Sequence, residues 1–401
     1  MITEHHNGVD NVVSLINLAL LTGHVGRPGS GLSPLRGQNN VQGGGDMGAV
    51  PNKLPGFQDI LDDGARLAFD AAWGSTIPPR YGKHLTAMFE AMDRGELRAL
   101  YVMGENPAQS EADISRARRL LGGLDHLVVQ DIFLTKTAEL ADVVLPASAN
   151  WCESEGTVTN SERRVQRVRQ AVRPPDGARD DSDILLAIAA RLGHPWSYGQ
   201  PDATLAERIE AVWDEVRSLS PMHRGMSYPR LAALGGIQWP CPSDDSLEPP
   251  YLHHRLWADD PAERGPLAPF SVVAHDPPVE DVTDEYPLRL TTGRRLDSYN
   301  TGVQSGAIAS PLRQGETIDL SAADAEALGI GEGEVVRVTS RRGAVEAPVR
   351  IDPGLRPGLA FMTFHFDDVD VNQLTIEAND PRSGTAEFKA AAVRIDRLTR
   401  T

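Results

Sequence analysis

Residues 34–43 read Pro-Leu-Arg-Gly-Gln-Asn-Asn-Val-Gln-Gly, which sets one cation, Arg36, beside a run of amides that starts at Gln38. A guanidinium meets a carboxylate with two parallel N–H donors, and neighbouring amides can fix the orientation of what it holds. The chemistry is recognition of a small planar anion, unless these groups only tie down their own loop. Two further polar clusters follow apolar runs: Gly104-Glu105-Asn106-Pro107, and Asp131-Ile132-Phe133-Leu134-Thr135-Lys136-Thr137. A glycine lets backbone approach a ligand closely, and a helix N-terminus offers free N–H groups to phosphate. An aspartate there can accept the paired donors of a guanine, while threonine and lysine suit a pyrophosphate. Helix capping explains Asn106 and Thr135 equally well.

The elements that must position these groups are legible in outline. Residues 10–22 have the period of an amphipathic helix, with Asp10 or Asn11 as cap and Gly23 as terminator. After the polar loop and an irregular stretch, residues 82–94 read as helix. An α/β pattern follows: strand Ala99–Met103, helix Ala112–Leu121, strand His126–Gln130, a short helix over Leu134–Leu140, and strand Asp142–Leu145. Apolar strands alternating with helices predict a parallel sheet covered on both faces, whose ligands sit beyond the carboxyl ends of the strands. Trp151 to Gln166 reads as a turn or hairpin, with Glu155 or Glu162 paired to Arg163 or Arg164. Asp183–Leu192 and Thr204–Ser218 read as helices, and Pro221 to Pro278 as an extended connector. Beyond Pro287 the texture changes to short strands, Leu288–Leu290, Val335–Thr339, Ala344–Ile351 and Leu359–Thr363, around one helix, Ser321–Leu328. Ser321 and Asp324 stand in its capping positions and Gly329 closes it. Short strands around a single helix predict a closed β-barrel.

Bulk properties exclude several classes. A formal charge of −17 argues against nucleic acid and anionic lipid as partners, since both need cationic neutralisation. The chain shows neither a membrane-spanning apolar stretch nor the basic-then-apolar start of a signal peptide, so a cytoplasmic protein is expected. Two cysteines, Cys152 and Cys241, give neither a disulfide framework nor metal-ligand spacing. Cys152 is expected to be a buried filler without a basic partner.

The Arg36 to Gly43 run resembles the active-site loop of formate dehydrogenase alpha subunits, within the molybdopterin oxidoreductases. The match extends through Gly8-Val9-Asp10-Asn11-Val12 and Asp46-Met47-Gly48-Ala49-Val50-Pro51-Asn52, and through Glu153-Ser154-Glu155-Gly156-Thr157 to Gln166, after Ala141-Asp142-Val143-Val144-Leu145-Pro146. A nitrate-reductase branch shares the Gly26-Arg27-Pro28-Gly29 lead-in but usually lacks an arginine at Arg36.

The resemblance implies an α/β molybdopterin-binding domain followed by a C-terminal double-psi β-barrel. The domains would run over residues 1–172 (α/β core), 173–283 (helical segment and connector) and 284–401 (dinucleotide-binding barrel). It implies a molybdenum or tungsten bis-molybdopterin guanine dinucleotide and oxidation of formate to carbon dioxide. Arg36 would hold the carboxylate and Gln38 would fix its pose. One dinucleotide arm would meet Gly104, Glu105, Asn106, Asp131, Thr135, Lys136, Thr137 and Asp142. The barrel would add Thr292, Gly293, Arg294, Tyr299 and Asn300 against a pterin and its phosphates. Asn372, Phe388 and Lys389 would close over the other arm. The sequence departs from the family where formate dehydrogenases often carry histidine, near Ser298 and Asn300. The family also holds a 4Fe-4S cluster on four cysteines and a metal-bound cysteine or selenocysteine, none of which this sequence supplies. The chain is therefore expected to be the C-terminal portion of a longer subunit, inactive alone and completed by N-terminal domains or a companion subunit and an electron acceptor. Two alternatives remain at this point: a non-catalytic pterin-dinucleotide-binding module or remnant, and an assimilatory nitrate reductase-like enzyme.

Overall fold

A computed structural model describes residues 2–196, 198–200, 202–246, 251–295, 315–366 and 368–398. In chain order, the first part holds helices α1 (Gly8–Leu21) and α2 (Val41–Asp46), strands β1 (Lys53–Leu54) and β2 (Gln58–Asp59), and helices α3 (Asp63–Trp73) and α4 (Leu85–Asp93). There follow β3 (Ala99–Met103), α5 (Pro107–Ser110), α6 (Ile114–Leu121), β4 (His126–Asp131), β5 (Val143–Pro146), β6 (Gly156–Thr159), β7 (Arg164–Val168), α7 (Asp181–Arg191), α8 (Leu205–Leu219), α9 (Tyr228–Leu234) and β8 (Ile237–Gln238). The last part holds β9 (Leu288–Gly293), β10 (Ile318–Leu320), α10 (Ala322–Leu328), β11 (Val335–Thr339), β12 (Ala344–Ile351), β13 (Leu359–Thr363) and β14 (Ala391–Arg397).

The chain divides into two compact units that interleave in sequence: Met1–Leu15, Leu85–Val144 and Ser271–Thr401 make one, Ile16–His84 and Leu145–Phe270 the other. In the first unit, β3 pairs in parallel with β4, and β5 lies on the far side of β4. Val102, Leu127 and Val129 pack against Phe89, Met92, Ala117, Leu120 and Leu121 of α4 and α6. The expectation of a sheet covered on both faces is corrected here. Tyr101 and Met103 are exposed on one face of β3, and the consecutive Val143 and Val144 are exposed on both faces of β5.

The expected barrel is present as a closed ring in the order β10-β12-β11-β14-β9-β13. Side chains alternate across each strand, so Leu288 and Leu290, Val336 and Val338, and Val345, Ala347 and Val349 all fall inside with Ile318, Leu320, Ala360, Met362, Val393 and Ile395. Leu290 is fully buried among them. Leu290→Ala is expected to cost about 2–5 kcal/mol in urea unfolding, the usual range for a core leucine whose site cannot collapse. The helix α10 starts as its sequence predicts: Ser321 Oγ accepts from Asp324 N at 3.1 Å, and Gly329 ends it with φ 65°. Barrel and α/β sheet are tied within this unit by Arg116 to Glu377, and by Arg118 to Asp370 at 2.7 Å.

The second unit corrects several expectations. The stretch after the polar loop is not irregular, because α3 is capped by Asp62, which accepts from Ala65 N, and is ended by Gly74 at φ 60°. The polar loop itself ends in the one-turn helix α2. The segment from Pro221 to Pro278 is not simply an extended connector either: it contributes α9 and β8, and β8 adds to the β6–β7 hairpin beside β7. Met226, Tyr228, Leu231, Ile237 and Cys241 form this unit's core with Val165 and Trp213. The hairpin and its Glu162–Arg164 ion pair at 3.0 Å are as expected, but Glu155 pairs with Arg167 at 3.2 Å. Cys152 is half-buried rather than buried. At the start of the chain, α1 begins at Gly8, so Asp10 and Asn11 lie inside its first turn and do not cap it.

Candidate functional site

In the first unit the carboxyl ends of β3 and β4 make one polar edge. Gly104 follows β3 with φ 63°, a conformation that glycine adopts without strain. A side chain there would meet no neighbouring heavy atom within 4 Å, so the backbone stands bare at the rim. Next to it, Asn106 Oδ1 accepts from Thr137 N at 3.1 Å and from Thr137 Oγ1 at 2.8 Å, and Thr137 Oγ1 accepts from Ala108 N at 3.0 Å. Asn106 and buried Thr137 therefore lock the two strand-end segments to each other. Asp131 Oδ1 accepts from Ile132 N at 2.7 Å and turns the chain out of β4. Thr135 Oγ1 accepts from Ala138 N at 3.2 Å, the capping role its position allowed, at the start of a 3-10 turn over Ala138–Leu140. That turn is all the structure makes of the helix expected over Leu134–Leu140. Lys136 is part-exposed, 3.5 Å from Glu139.

Glu105 accepts from Ser110 Oγ at 3.0 Å. Burial pushes the nearby Glu111 carboxyl up to about 8, and the charges of Glu105 and Glu377 add to that push. Glu111 thus keeps its proton at neutral pH, which spares a phosphate-compatible edge one negative charge. Asp142 does not join this edge. It precedes β5 and binds Leu127 N at 2.7 Å, at the amino end of the sheet.

The barrel residues gather around β9. Lys389 is buried, and its Nζ donates to Thr292 O at 2.9 Å and Thr292 Oγ1 at 3.1 Å and pairs with Glu4 at 2.7 Å. Burial lowers its pKa, an effect that Glu4 opposes. Thr292 Oγ1 donates to Phe388 O at 2.9 Å. Gly293 is dictated by space: a Cβ would stand 2.7 Å from the Phe361 ring. Arg294 lies over Phe364, 5.1 Å from the ring centroid. Asn372 donates to Ser110 O at 3.1 Å and so joins the barrel to α5, next to the Gly104 edge. Tyr299 and Asn300 lie outside the described residues.

Beside Lys389 the start of the chain is pinned to the barrel. Phe388 N donates to Glu4 O at 3.2 Å. The Glu387 side chain is wholly buried. Its Oε2 lies 2.9 Å from His6 Nδ1, and its Oε1 lies 2.8 Å from His5 Nδ1. His6 Nε2 reaches Asp276 at 2.9 Å. Burial alone would raise the Glu387 pKa, but His5 and His6 outweigh it and hold the carboxyl at about 2. Burial also works against a charged His6, and Glu387 and Asp276 overcome it.

In the second unit, Arg36 lines a cavity of about 720 Å³ with Gln42, Asp46, Phe57, Met222 and Trp239. Arg36 Nη2 donates to Gln42 Oε1 at 2.9 Å, Gln42 Nε2 donates to Asp46 Oδ1 at 2.8 Å, and Trp239 Nε1 donates to Asp46 Oδ2 at 2.9 Å. Burial raises the Asp46 pKa, while Gln42, Trp239 and the Arg36 charge pull it back. Such a cavity offers an anchored cation on a largely apolar wall, which suits a small carboxylate. Gln38 is exposed and is not among the lining residues. Gln42 and Asp46 were missed in sequence, although their spacing of four on one helix gave a signal. Nothing local pointed to Trp239, which comes from 193 positions further along.

A family model described as molybdopterin oxidoreductase matches residues 1–191, and one described as molydopterin dinucleotide binding domain matches residues 288–392. The F420-dependent formate dehydrogenase subunit alpha of Methanocaldococcus jannaschii is 40% identical over 399 residues, which cover 99% of this chain and 57% of that protein. The F420-dependent formate dehydrogenase 2 subunit alpha of Methanococcus maripaludis is 42% identical, with the same coverage. Formate dehydrogenase H of Escherichia coli is 37% identical, over 98% of this chain and 54% of its own length. The chain thus spans a little over half the length of these relatives. Among solved structures, acetylene hydratase from Pelobacter acetylenicus matches with a TM-score of 0.56 and 21% identity, over 78% of this chain and 46% of that one, a likeness of fold. With the dinucleotide-binding model falling on the closed barrel and the oxidoreductase model on the sheet and the Arg36 loop, the chain belongs to the molybdopterin oxidoreductases and its relatives include formate dehydrogenase alpha subunits.

Proposed function

We propose that this chain is the dinucleotide-holding and formate-recognising part of a formate dehydrogenase. The observation that carries the reading is Arg36, held by Gln42 and through it by Asp46, as the one cation among the described residues on the wall of its cavity. The Gly104 rim fits the implied cofactor: bare backbone beside Asp131, Thr135 and Lys136 leaves room for a pyrophosphate and offers a carboxylate for guanine. We assign Gly104, Glu105, Asp131, Thr135 and Lys136 to one arm, and the Thr292–Arg294 segment with Phe388 and Lys389 to the other. Asn106, Thr137 and Asn372 support these contacts by holding the segments in place. When bound, a molybdenum or tungsten bis-molybdopterin guanine dinucleotide supplies the two-electron acceptor for oxidation of formate to carbon dioxide and a proton.

This chain's own contribution is to bind and orient. Arg36 takes both carboxylate oxygens of formate, which turns the C–H bond away from the guanidinium, and such fixed geometry replaces a loose encounter with a near-attack pose. Phe57, Met222 and Trp239 give the same cavity apolar surface beside the cation. A 4Fe-4S cluster in the portion of such an enzyme that this chain does not span, on the same polypeptide or on a companion subunit, would supply the electron acceptor. The same reading places the chain in the cytoplasm, and recovery in a membrane fraction would count against it.

Formate-dependent dye reduction by an enzyme assembled around this chain tests the proposal. Reduction with formate and none with nitrate is the expected outcome, and the reverse preference would replace it with the nitrate reading. The cofactor half is tested separately. Gly104→Val forces a branched side chain into left-handed backbone, at about 1–3 kcal/mol, and fills the rim. It is expected to cut the guanine nucleotide released on acid hydrolysis of the purified protein by about tenfold, the factor that a loss of 1.4 kcal/mol produces.

A further inference from the structure

Resting on the reading of Arg36 as the formate-binding cation, we infer that Asp46 is a positioning residue whose carboxylate, acting through Gln42, decides where the Arg36 guanidinium points. An indole N–H can only donate, so Asp46 Oδ2, 2.9 Å from Trp239 Nε1, must accept. An ionised carboxylate has no proton to give, so Oδ1 must also accept, and the group facing it at 2.8 Å is the amide NH₂ of Gln42. That leaves the Gln42 carbonyl turned the other way, where it receives Arg36 Nη2 at 2.9 Å. Asp46 is 1% exposed, so bulk water competes little for the two bonds to its carboxylate. Positions 42 and 46 are one turn apart on α2, and their side chains share a face. The Asp46 main chain is fixed too, its carbonyl accepting from Gly56 N at 2.7 Å and from Phe57 N at 3.1 Å.

One atom reverses the chain. In Asp46→Asn the amide oxygen is claimed by the indole, and the amide NH₂ faces Gln42. Gln42 must then turn its carbonyl toward that NH₂ and its own NH₂ toward Arg36, two donors against each other. Adding Gln42→Glu repairs this, because a carboxylate accepts from both sides.

The test uses the full chain and phenylglyoxal, with modification of Arg36 followed by peptide mass spectrometry, with and without sodium formate. In the unaltered chain, formate is expected to slow modification of Arg36. Asp46→Asn is expected to raise the formate concentration for half-protection by at least about tenfold, the usual consequence of losing a hydrogen bond to a charged group. The pair Asp46→Asn with Gln42→Glu is expected to return it to within about threefold of the original, which a merely structural role of Asp46 would not do. An unchanged half-protection in the single variant, or a double variant as weak as the single, overturns the inference. Circular dichroism establishes that each variant is folded. Should formate protect nothing even in the unaltered chain, the formate reading fails. The formate-free modification rate of Arg36 still judges Asp46 in that event: it should change in the single variant and return in the double, and a constant rate rejects the positioning role.

Discussion

Replacing Arg36 with alanine in an enzyme assembled around this chain is expected to lower kcat/KM for formate by about a hundredfold or more, with the content of bound guanine nucleotide unchanged. The size follows from what is removed. A charge-assisted, two-pronged contact with a carboxylate is worth several kcal/mol once water is excluded, and about 2.7 kcal/mol already corresponds to a factor of a hundred. None of the other described residues that line the Arg36 cavity is cationic, so nothing there takes the place of the lost guanidinium. Arg36→Lys is expected to recover only part of the loss, because a point charge cannot reproduce the fork. Steady-state kinetics with nucleotide analysis on the same preparation decides the matter. Full formate turnover in the alanine variant would remove Arg36 from the reaction.

Glu387→Gln is expected to produce the largest change in stability. The side chain is wholly buried between His5 and His6, and removing one member of a buried charged cluster typically costs about 3–5 kcal/mol. The pH dependence gives the prediction its signature. Glu387 is depressed from the ordinary 4.5 to about 2, so its contribution is complete above the unfolded value of about 4.5 and is lost as pH falls toward 2. The span is worth on the order of 3 kcal/mol at 1.36 kcal/mol per unit. His6 is shifted the other way. Its contribution is present below its ordinary 6.5 and is lost as pH climbs through the raised value. The stability gap between the two proteins in urea should therefore be widest between about pH 4.5 and 6.5 and narrow on both sides. A gap that does not vary with pH would mean that the pocket holds Glu387 by packing alone.

The elements that sequence reasoning recovered are those whose signals are local. The helix ending at Leu328 announces itself through Ser321, Asp324 and Gly329, three residues within one short stretch that form the expected bonds. Strands Ala99–Met103 and Ala344–Ile351 are formed over the residues expected. Where tertiary contacts decide, the sequence was silent. Gly43-Gly44-Gly45 reads as a loop, yet α2 forms there, anchored by Asn40 Oδ1 accepting from Thr159 N at 2.9 Å. The Pro-rich stretch after Pro221 hides a helix and a strand because Tyr228, Leu231 and Ile237 bury themselves against Trp213 and Val165 without a clean period. The candidate site divides in the same way. Arg36 and the two strand-end clusters stood out by composition, whereas the acceptor chain behind Arg36 ends on an indole supplied from a distant part of the sequence.

The pairing of Glu4 with Lys389 also bears on how the chain comes to be folded. The first unit draws on three separated stretches, and its opening residues bond to partners nearly four hundred positions later. On a ribosome the residues around Glu4 would wait until the segment around Lys389 had been made. Closing so long a loop carries an entropic cost, and contacts of this range slow folding. The second unit is split as well, since one strand-and-helix block of the first is inserted between its halves, but all of its residues emerge by Phe270. The second unit is thus free to begin ordering once Phe270 has emerged, and the barrel seals the first unit only after the segment around Lys389 has followed. Ribosome-stalled chains of increasing length, probed by limited proteolysis, should show protection appearing in that order.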